Sequence, residues 1–476
     1  MRRCSRVDDG TAGHFGNHPG KTCFKEMRYL RFISRIVLGV VFIFSGFVKA
    51  VDPLGSAYKF SDYFHAFRLG FLDGISLPLG VLLPAFELVL GFMLLLGYRR
   101  KIVTWLVTLF MLFFTLLTLV LAVFNPVEDC GCFGDALVLT NWETFFKNLV
   151  LMVFVAVIFI HRNREPEAGN ATREWITGAL LVVMAVCFSV WNHRHLPLLD
   201  FRPYDVGTVI EEEMKIPEGA VMDEYETTLI YRELETGKTR RFSMEDYPRD
   251  TTAWQFVNSE SKLVRKGYEP PIHDFAIMDQ FGSDLADRIL ADEGYSLLMI
   301  SYDLSEAEEE GLLKAGDWSR LEILADDFSF YAVTASPGGE AEQISASLAL
   351  EYGFHAADDI MLKTVVRSNP GFVLLKNGTI VGKWGTRDFP SVSEVDPLWP
   401  DMIAQASLPM DEETRLLMEE GVIENISFGV VAFDRHALSL LFEADSAARE
   451  RWVVIAWILG IAVLLFLSHL VSPIRI

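Results

Sequence analysis

The sequence predicts an α-helical membrane bundle that carries an α/β domain on its outer side. Two observations lead there. Six stretches are apolar enough to cross a bilayer, and an acidic region beyond residue 200 alternates strand-like with helix-like segments. With 476 residues, 51% of them apolar, and a positive mean hydropathy, the chain exceeds one ordinary soluble domain.

A transmembrane helix needs about 20 mostly apolar residues to cross roughly 30 Å of hydrocarbon. The stretches that qualify are 29–50, 76–97, 102–125, 145–160, 175–191 and 452–470, of which the fourth and fifth read short. The first is too long for a cleavable signal peptide and has no small-residue cleavage site, so it reads as a signal anchor. The 26 residues before Met27 differ in composition from the rest of the chain. Met27, leading into RYLRFISRIVLG, makes a natural start, and Cys4 and Cys23 are given no role.

Basic residues mark the cytoplasmic ends of spans. They gather in the segment 1–28 and at Arg31, in the second loop at Arg99, Arg100 and Lys101, and in the fourth at His161, Arg162, Arg164 and Arg173. These alternate segments share one side, the inside. Loops 51–75 and 126–144 then face outward, as does 193–450, and both termini are cytoplasmic; Arg449 and Arg451 run against the rule. In a diderm bacterium this is an inner-membrane protein with a periplasmic domain.

The formal net charge of −22 is unevenly spread. Residues 200–450 hold 50 acidic and 21 basic side chains, whereas the membrane part is basic. Such an acidic domain repels nucleic acid and anionic lipid surfaces, which are excluded as its ligands. The bilayer itself and a periplasmic protein are the expected partners.

Chemistry concentrates in the membrane part. The outward loop between the third and fourth spans reads NPVEDCGCFGDAL, placing Cys130 and Cys132 in an oxidising compartment. A Cys-Gly-Cys spacing closes a small, strained and therefore labile disulfide, which suits exchange better than stapling. Three readings stand: a redox-active pair, a structural turn or static disulfide, and a metal site for zinc or copper. Asp129 and Asp135 nearby are expected to disfavour a thiolate. Cys187, near the outer end of the fifth span, either reaches that pair or is a buried small side chain.

Glu87 falls about 16 Å along the second span, counted at 1.5 Å per residue from Ser76. A carboxyl at that depth must be neutral, paired or beside water. It therefore has either a proton or quinone-headgroup role or a protonated, hydrogen-bonded structural one. Pro84 one turn earlier frees a backbone carbonyl. Ser45 and Gly46 on the first span allow close helix approach, while Lys49 and Asp52 are placed at the outer interface.

Together the stretch Gly39 to Pro53 with its SGxxKxxDP pattern, Glu87 with Gly91 and Gly97, and CGCFG at Cys130 to Gly134 resemble the DoxX and MauE (methylamine utilisation) families. The resemblance covers 29–161. It implies a four-helix bundle related to the DsbB and vitamin K epoxide reductase type, engaged in membrane redox work or in maturing disulfide-containing periplasmic partners. Those electron carriers use two thiol pairs and a quinone. Only one pair is visible here, and a quinone is the candidate cofactor. Beyond this bundle lie the fifth span (175–192) and the sixth (452–471).

The outer region divides into a strand-rich segment (200–269), an α/β domain (270–390) and a helical segment (391–450). In the first, TTLIYRELETGKTRRFSM reads as two strands turning at Thr236 and Gly237. In the second, YSLLMISYD reads as a buried strand, FSFYAVTAS as another, and GFVLLKNGTIVGKW as a hairpin turning at Asn377 and Gly378. This part resembles the thioredoxin fold of the TlpA and peroxiredoxin-like type, through Pro271, Asp274, Phe275, Gly282, the strand 297–302, and Asn369 with Pro370 at the position of the family's cis-proline. The family's Cys-x-x-Cys is missing, since DLSEAEEEG comes after the central strand and no cysteine occurs after Cys187. The resemblance implies that Asn369 and Pro370 are retained as a binding edge. His273, His355, Asp358 and Asp359 have no metal-ligand spacing, so no metal is expected.

Two functions are open to such a chain, and a third, transporter or channel, rests on Glu87 alone without an internal repeat to support it. In one, Cys130 and Cys132 with Glu87 carry out thiol–disulfide exchange or mature periplasmic partners. In the other, the bundle is a noncatalytic scaffold presenting a periplasmic binding domain.

Overall fold

The computed structural model describes residues 19–401 apart from 128, 164–169, 266, 324, 326, 396 and 398, with side chains from residue 27 onward except 263 and 323. The expected sixth span, nearly all of the helical segment 391–450, and Cys4 lie outside the described residues.

Helix α1 (Pro19–Val51) ends where Pro53 bars αR geometry at Asp52. Asp52 then caps α2 (Pro53–Ala66), its Oδ1 accepting from the Gly55 N–H at 2.8 Å, with Pro53 in the first turn. The Asp-Pro pair thus opens a helix inside what read as an outer loop. Next come α3 (Ser76–Leu96), closed by Gly97 at φ +67°, and α4 (Arg100–Phe124), closed by Asn125 at φ +46°. Helix α5 (Asn141–Ile160) starts earlier than its apolar run because Thr140 and Glu143 form a capping box. Asn170 similarly caps α6 (Ala171–Arg194). Both stretches that read short thereby gain spanning length. Among the described residues five helical segments are long and apolar enough to cross a membrane.

On α4, Val103, Val107, Met111, Thr115 and Thr118 are buried, whereas Leu109, Phe113, Leu116 and Val123 are exposed. An exposed stripe as apolar as the buried one belongs against lipid. Helices α1 and α3 make the closest pair, through glycine. A Cβ on Gly46 would meet the Leu88 backbone nitrogen at 2.7 Å and the Pro84 carbonyl at 2.8 Å, and one on Gly91 would meet the Ile43 nitrogen at 2.8 Å. Only hydrogen side chains permit that approach.

Beyond a short helix, α7 (Ile210–Glu213), three antiparallel strands form a sheet in the order β2-β1-β3: β1 (Glu224–Glu233), β2 (Thr239–Ser243) and β3 (Trp254–Arg265). Gly237, at φ +68°, turns β1 into β2. A second sheet has the order β6-β5-β4-β7-β8, built from β4 (Tyr295–Ser301), β5 (Phe328–Thr334), β6 (Phe354–Ala356), β7 (Gly371–Lys376) and β8 (Thr379–Gly385). The first three run parallel, and β7 and β8 are antiparallel to their neighbours. Asn377 and Gly378, at φ +48° and +69°, turn the last hairpin.

Helices α8 (Ala286–Leu290), α9 (Glu309–Ser319), α10 (Gly338–Leu348), α11 (Asp359–Val365) and α12 (Val392–Val395) connect or flank these strands. Every residue of β4 is buried. Leu297 and Met299 join Trp318, Phe372 and Trp384 on one face, while Leu298 and Ile300 join Ile277, Ile289 and Val373 on the other. A strand covered on both sides needs apolar residues facing both ways, which is why its middle, residues 297–300, reads as an unbroken run.

Residues flanking the expected 270–390 unit also enter this core. Val392, Val395 and Trp399 pack on the first face, and Tyr204 and Ile210 on the second. The linker after α6 is held to β8 by Asp200, whose Oδ2 accepts from Lys383 Nζ at 2.7 Å while Arg202 Nε donates to Oδ1 at 2.7 Å. Burial pushes the Asp200 carboxyl up, but those two cations hold it below the usual aspartate range.

Gly46→Val should force α1 from α3 and destabilise the full-length chain in detergent by about 2 kcal/mol. An unfolding midpoint equal to wild type would show that the seam is not close-packed.

Candidate functional site

Between α4 and α5 the chain makes a tight loop, tied at its base by the Asn141 amide, which donates to Asn125 Oδ1 at 2.9 Å and to the Val127 carbonyl at 2.7 Å. Asp129 bridges to Thr140 and accepts from the Gly131 N–H at 2.8 Å. Gly131 itself has φ +58°, and a Cβ there would press on Lys59 Cγ at 3.1 Å. This left-handed turn brings Cys130 Sγ to 2.7 Å from Cys132 Sγ, with both thiols free.

Three neighbouring helices hold the loop. From α2, the Tyr63 hydroxyl donates to the Cys130 carbonyl at 2.6 Å, and Lys59 Nζ lies 2.6 Å from Asp129 Oδ2. From α1, the Ser45 hydroxyl lies 2.9 Å from the Cys132 carbonyl and 2.8 Å from Glu87 Oε2, so its single proton serves one acceptor at a time. From α5, Lys147 places its ammonium 4.1 Å above the Phe133 ring. The Thr144 hydroxyl of α5, buried beside the loop, favours a Cys130 thiolate.

Glu87 on α3 is only 3% exposed. Its Oε1 lies 2.6 Å from Lys49 Nζ, and the lysine is buried as well. Lys49, expected at the outer interface, instead turns inward one helical turn beyond Ser45 to pair the carboxylate. The reason is energetic: each charge alone in this interior is costly, and together they compensate.

Cys130, Cys132 and Glu87 line one cavity of about 80 Å³, shared with Lys49, Lys147 and Asn148 and walled by Phe42, Phe110 and Phe114. Cys187 lines no part of it and is exposed on α6.

The two thiols are unequal. Once Cys130 ionises, the Cys132 thiol can donate to it, and this, opposed by burial and aided by Thr144 and Lys147, lowers Cys130 from the ordinary thiol value to about 6. The same bond and burial push Cys132 up. The expectation that Asp129 and Asp135 disfavour a thiolate is therefore corrected. Lys59 pairs Asp129, and Arg367 of the sheet domain lies 3.2 Å from Asp135, so neither carboxylate acts as a bare anion.

Asn369 and Pro370 lie elsewhere. Their peptide is cis. Asn369 Oδ1 accepts from Ser301 at 2.7 Å, its amide donates to the Asp303 carbonyl at 2.6 Å, and its own carbonyl accepts from Glu308 at 2.9 Å. Pro370 is buried against Gly311. With these groups already engaged within the domain, the position offers little to a bound strand. Among the described residues no group of three or more His, Cys, Asp or Glu side chains is placed to hold a metal ion.

Alkylation of Cys130 should show a pH midpoint near 6. Because folding lowers this acid, its contribution to stability is complete above the ordinary thiol value and is lost as pH falls through about 6. Cys132→Ala removes the donor and should move the midpoint upward, with Lys147→Met acting in the same direction. A midpoint unmoved by Cys132→Ala would show that the thiol bond does not acidify Cys130.

No curated protein and no solved structure matches the chain. Residues 225–266, which hold nearly all of the three-stranded sheet, match a domain of unknown function (DUF8463). Residues 27–161, which carry the thiol pair, Lys49 and Glu87, match the family described as methylamine utilisation protein MauE, and the membrane bundle is similar to that family.

Proposed function

We propose that the bundle is a thiol–disulfide exchange unit serving periplasmic protein partners, and the matched family's description links it to methylamine utilisation. One observation carries this reading: two adjoining sulfurs with opposite shifts in acidity line a cavity that continues to a buried ion pair. A stabilised thiolate favours the reduced form of the pair and so makes its disulfide oxidising.

The exchange runs in two displacements. A client thiolate attacks Cys130 of the Cys130–Cys132 disulfide, and Cys132 leaves and takes a proton, as its weakened acidity demands. The client's second thiol then gives up its proton, attacks its own mixed-disulfide sulfur and expels Cys130 as thiolate, so that a client dithiol releases one proton net over the two steps. The client loses two electrons and the pair gains them. The cavity suits a quinone in the character of its lining, since Phe42, Phe110 and Phe114 offer an apolar wall and Lys49, Lys147 and Asn148 offer donors to carbonyl oxygens. When bound, such a quinone would supply the oxidation that restores the disulfide. Lys49, paired with Glu87, holds exchangeable protons beside the two cysteines.

In this reading the chain crosses the inner membrane six times with both termini cytoplasmic, and residues 193–450 are periplasmic. The sheet domain is of the thioredoxin-like type. Its support is the strand order β6-β5-β4-β7-β8 and the fully buried β4. That domain has no cysteine, which favours a second reading of the whole as a noncatalytic scaffold.

One experiment separates the two. In intact cells, Cys132→Ser should accumulate reductant-sensitive adducts through Cys130, and the Cys130→Ser/Cys132→Ser double variant should not. If no adduct forms, and the wild-type pair keeps one alkylation state with and without reductant, thiol exchange is rejected in favour of the scaffold.

A further inference from the structure

Arg367 stands three residues before Pro370, and its side chain is 7% exposed. Its Nε lies 2.9 Å from Asp52 Oδ2 and its Nη2 3.2 Å from Asp135 Oδ2, while Nη1 donates to the Lys363 carbonyl. Both carboxylates belong to the bundle. Asp52 caps α2, and Asp135 lies three residues after Cys132.

The contact continues around this guanidinium. Tyr58 of α2 lies 5.3 Å beneath it and meets the edge of Tyr302, the first residue beyond β4, at 6.4 Å. Lys363 lies 5.2 Å from Tyr58 and 5.5 Å from Tyr302. The sheet domain is thus seated on α2, the helix whose Lys59 and Tyr63 grip Asp129 and the Cys130 carbonyl. A crevice beneath the seat is lined by Asp52, Lys59, Gly131 and Asp135 of the bundle and by Leu199 and Arg202 of the linker.

We infer that Arg367 is a positioning residue for the thiol pair, clamping both supports of the loop at once and so keeping Cys130 and Cys132 in their cavity, which bulky molecules reach only when the loop opens. A planar guanidinium suits this task, because it reaches two carboxylates in fixed directions where an ammonium is a single point. Its removal strands two partly buried anions. The inference rests on the thiol reading only for the importance of what is positioned.

The test is labelling of the reduced full-length chain in native membranes with a polyethylene-glycol maleimide and with N-ethylmaleimide, taking the ratio of the two rates. Arg367→Gln and Asp135→Asn should each raise the bulky-to-small ratio about tenfold, through a more frequent opening of the loop. The double variant should match Arg367→Gln, since that change already cuts the link to Asp135 along with the one to Asp52. Arg320→Gln, in an exposed pair with Glu351, should leave the ratio unchanged. Proteolysis of the sheet domain should match wild type in Asp135→Asn, which separates release of the loop from unfolding of the domain. Wild-type ratios in Arg367→Gln and Asp135→Asn, or effects that add in the double variant, would overturn the clamp. If Arg367→Gln does not accumulate, an unchanged ratio in Asp135→Asn alone overturns it. The ratio does not depend on exchange, so absence of Cys130 adducts would reject the proposed function while leaving this result to be read independently.

Discussion

The membrane half of this protein depends on a lysine and a glutamate that share a place where neither is stable alone. Lys49 and Glu87 meet at 2.6 Å within an apolar bundle. Their pairing requires α1 and α3 to approach closely, and closeness requires hydrogen side chains at Gly46 and Gly91. Ser45, fixed by the same approach, reaches both Glu87 and the Cys132 carbonyl. A charge pair inside the bundle is in this way connected to the position of a loop outside it.

How far the sequence revealed this depends on the range of each interaction. Glu87 stood out because a lone carboxylate within an apolar run is costly wherever its partner lies. Lys49 did not, because a lysine near a helix end ordinarily snorkels to water, and its partner is 38 residues away. Capping explains the misplaced starts of α5 and α6: their first turns are polar, and hydropathy does not register them although Thr140, Glu143 and Asn170 announce them. Turns were legible wherever glycine or asparagine had to adopt positive φ, as at Asn377 and Gly378. The strand β3 was less so. It is largely exposed and carries polar residues on both faces, so it lacks the alternation that marks a half-buried strand.

Long-range electrostatics produced the largest revision at the thiols. From the sequence, Asp129 and Asp135 are anions beside cysteines. In the fold each has a cation, supplied by Lys59 from 70 residues earlier and by Arg367 from 232 residues later. Local charge reading fails wherever tertiary structure supplies the counterion. The sheet domain illustrates the reverse case. The central strand's apolar run revealed its double burial directly, whereas the attachment of its flanks through Asp200 with Lys383, and through Trp399, left no local mark.

The spacer between the cysteines has a consequence for how this loop tolerates change. Gly131 combines a left-handed backbone with a wall formed by the Lys59 stem. Any other residue there meets two objections of different origin, one from its own main chain and one from a neighbouring helix, and relieving either leaves the other. Shortening Lys59 would open the wall but also remove the partner of Asp129. The motif and α2 are consequently bound to vary together: mutational drift on the helix is constrained by an atom that the glycine does not have.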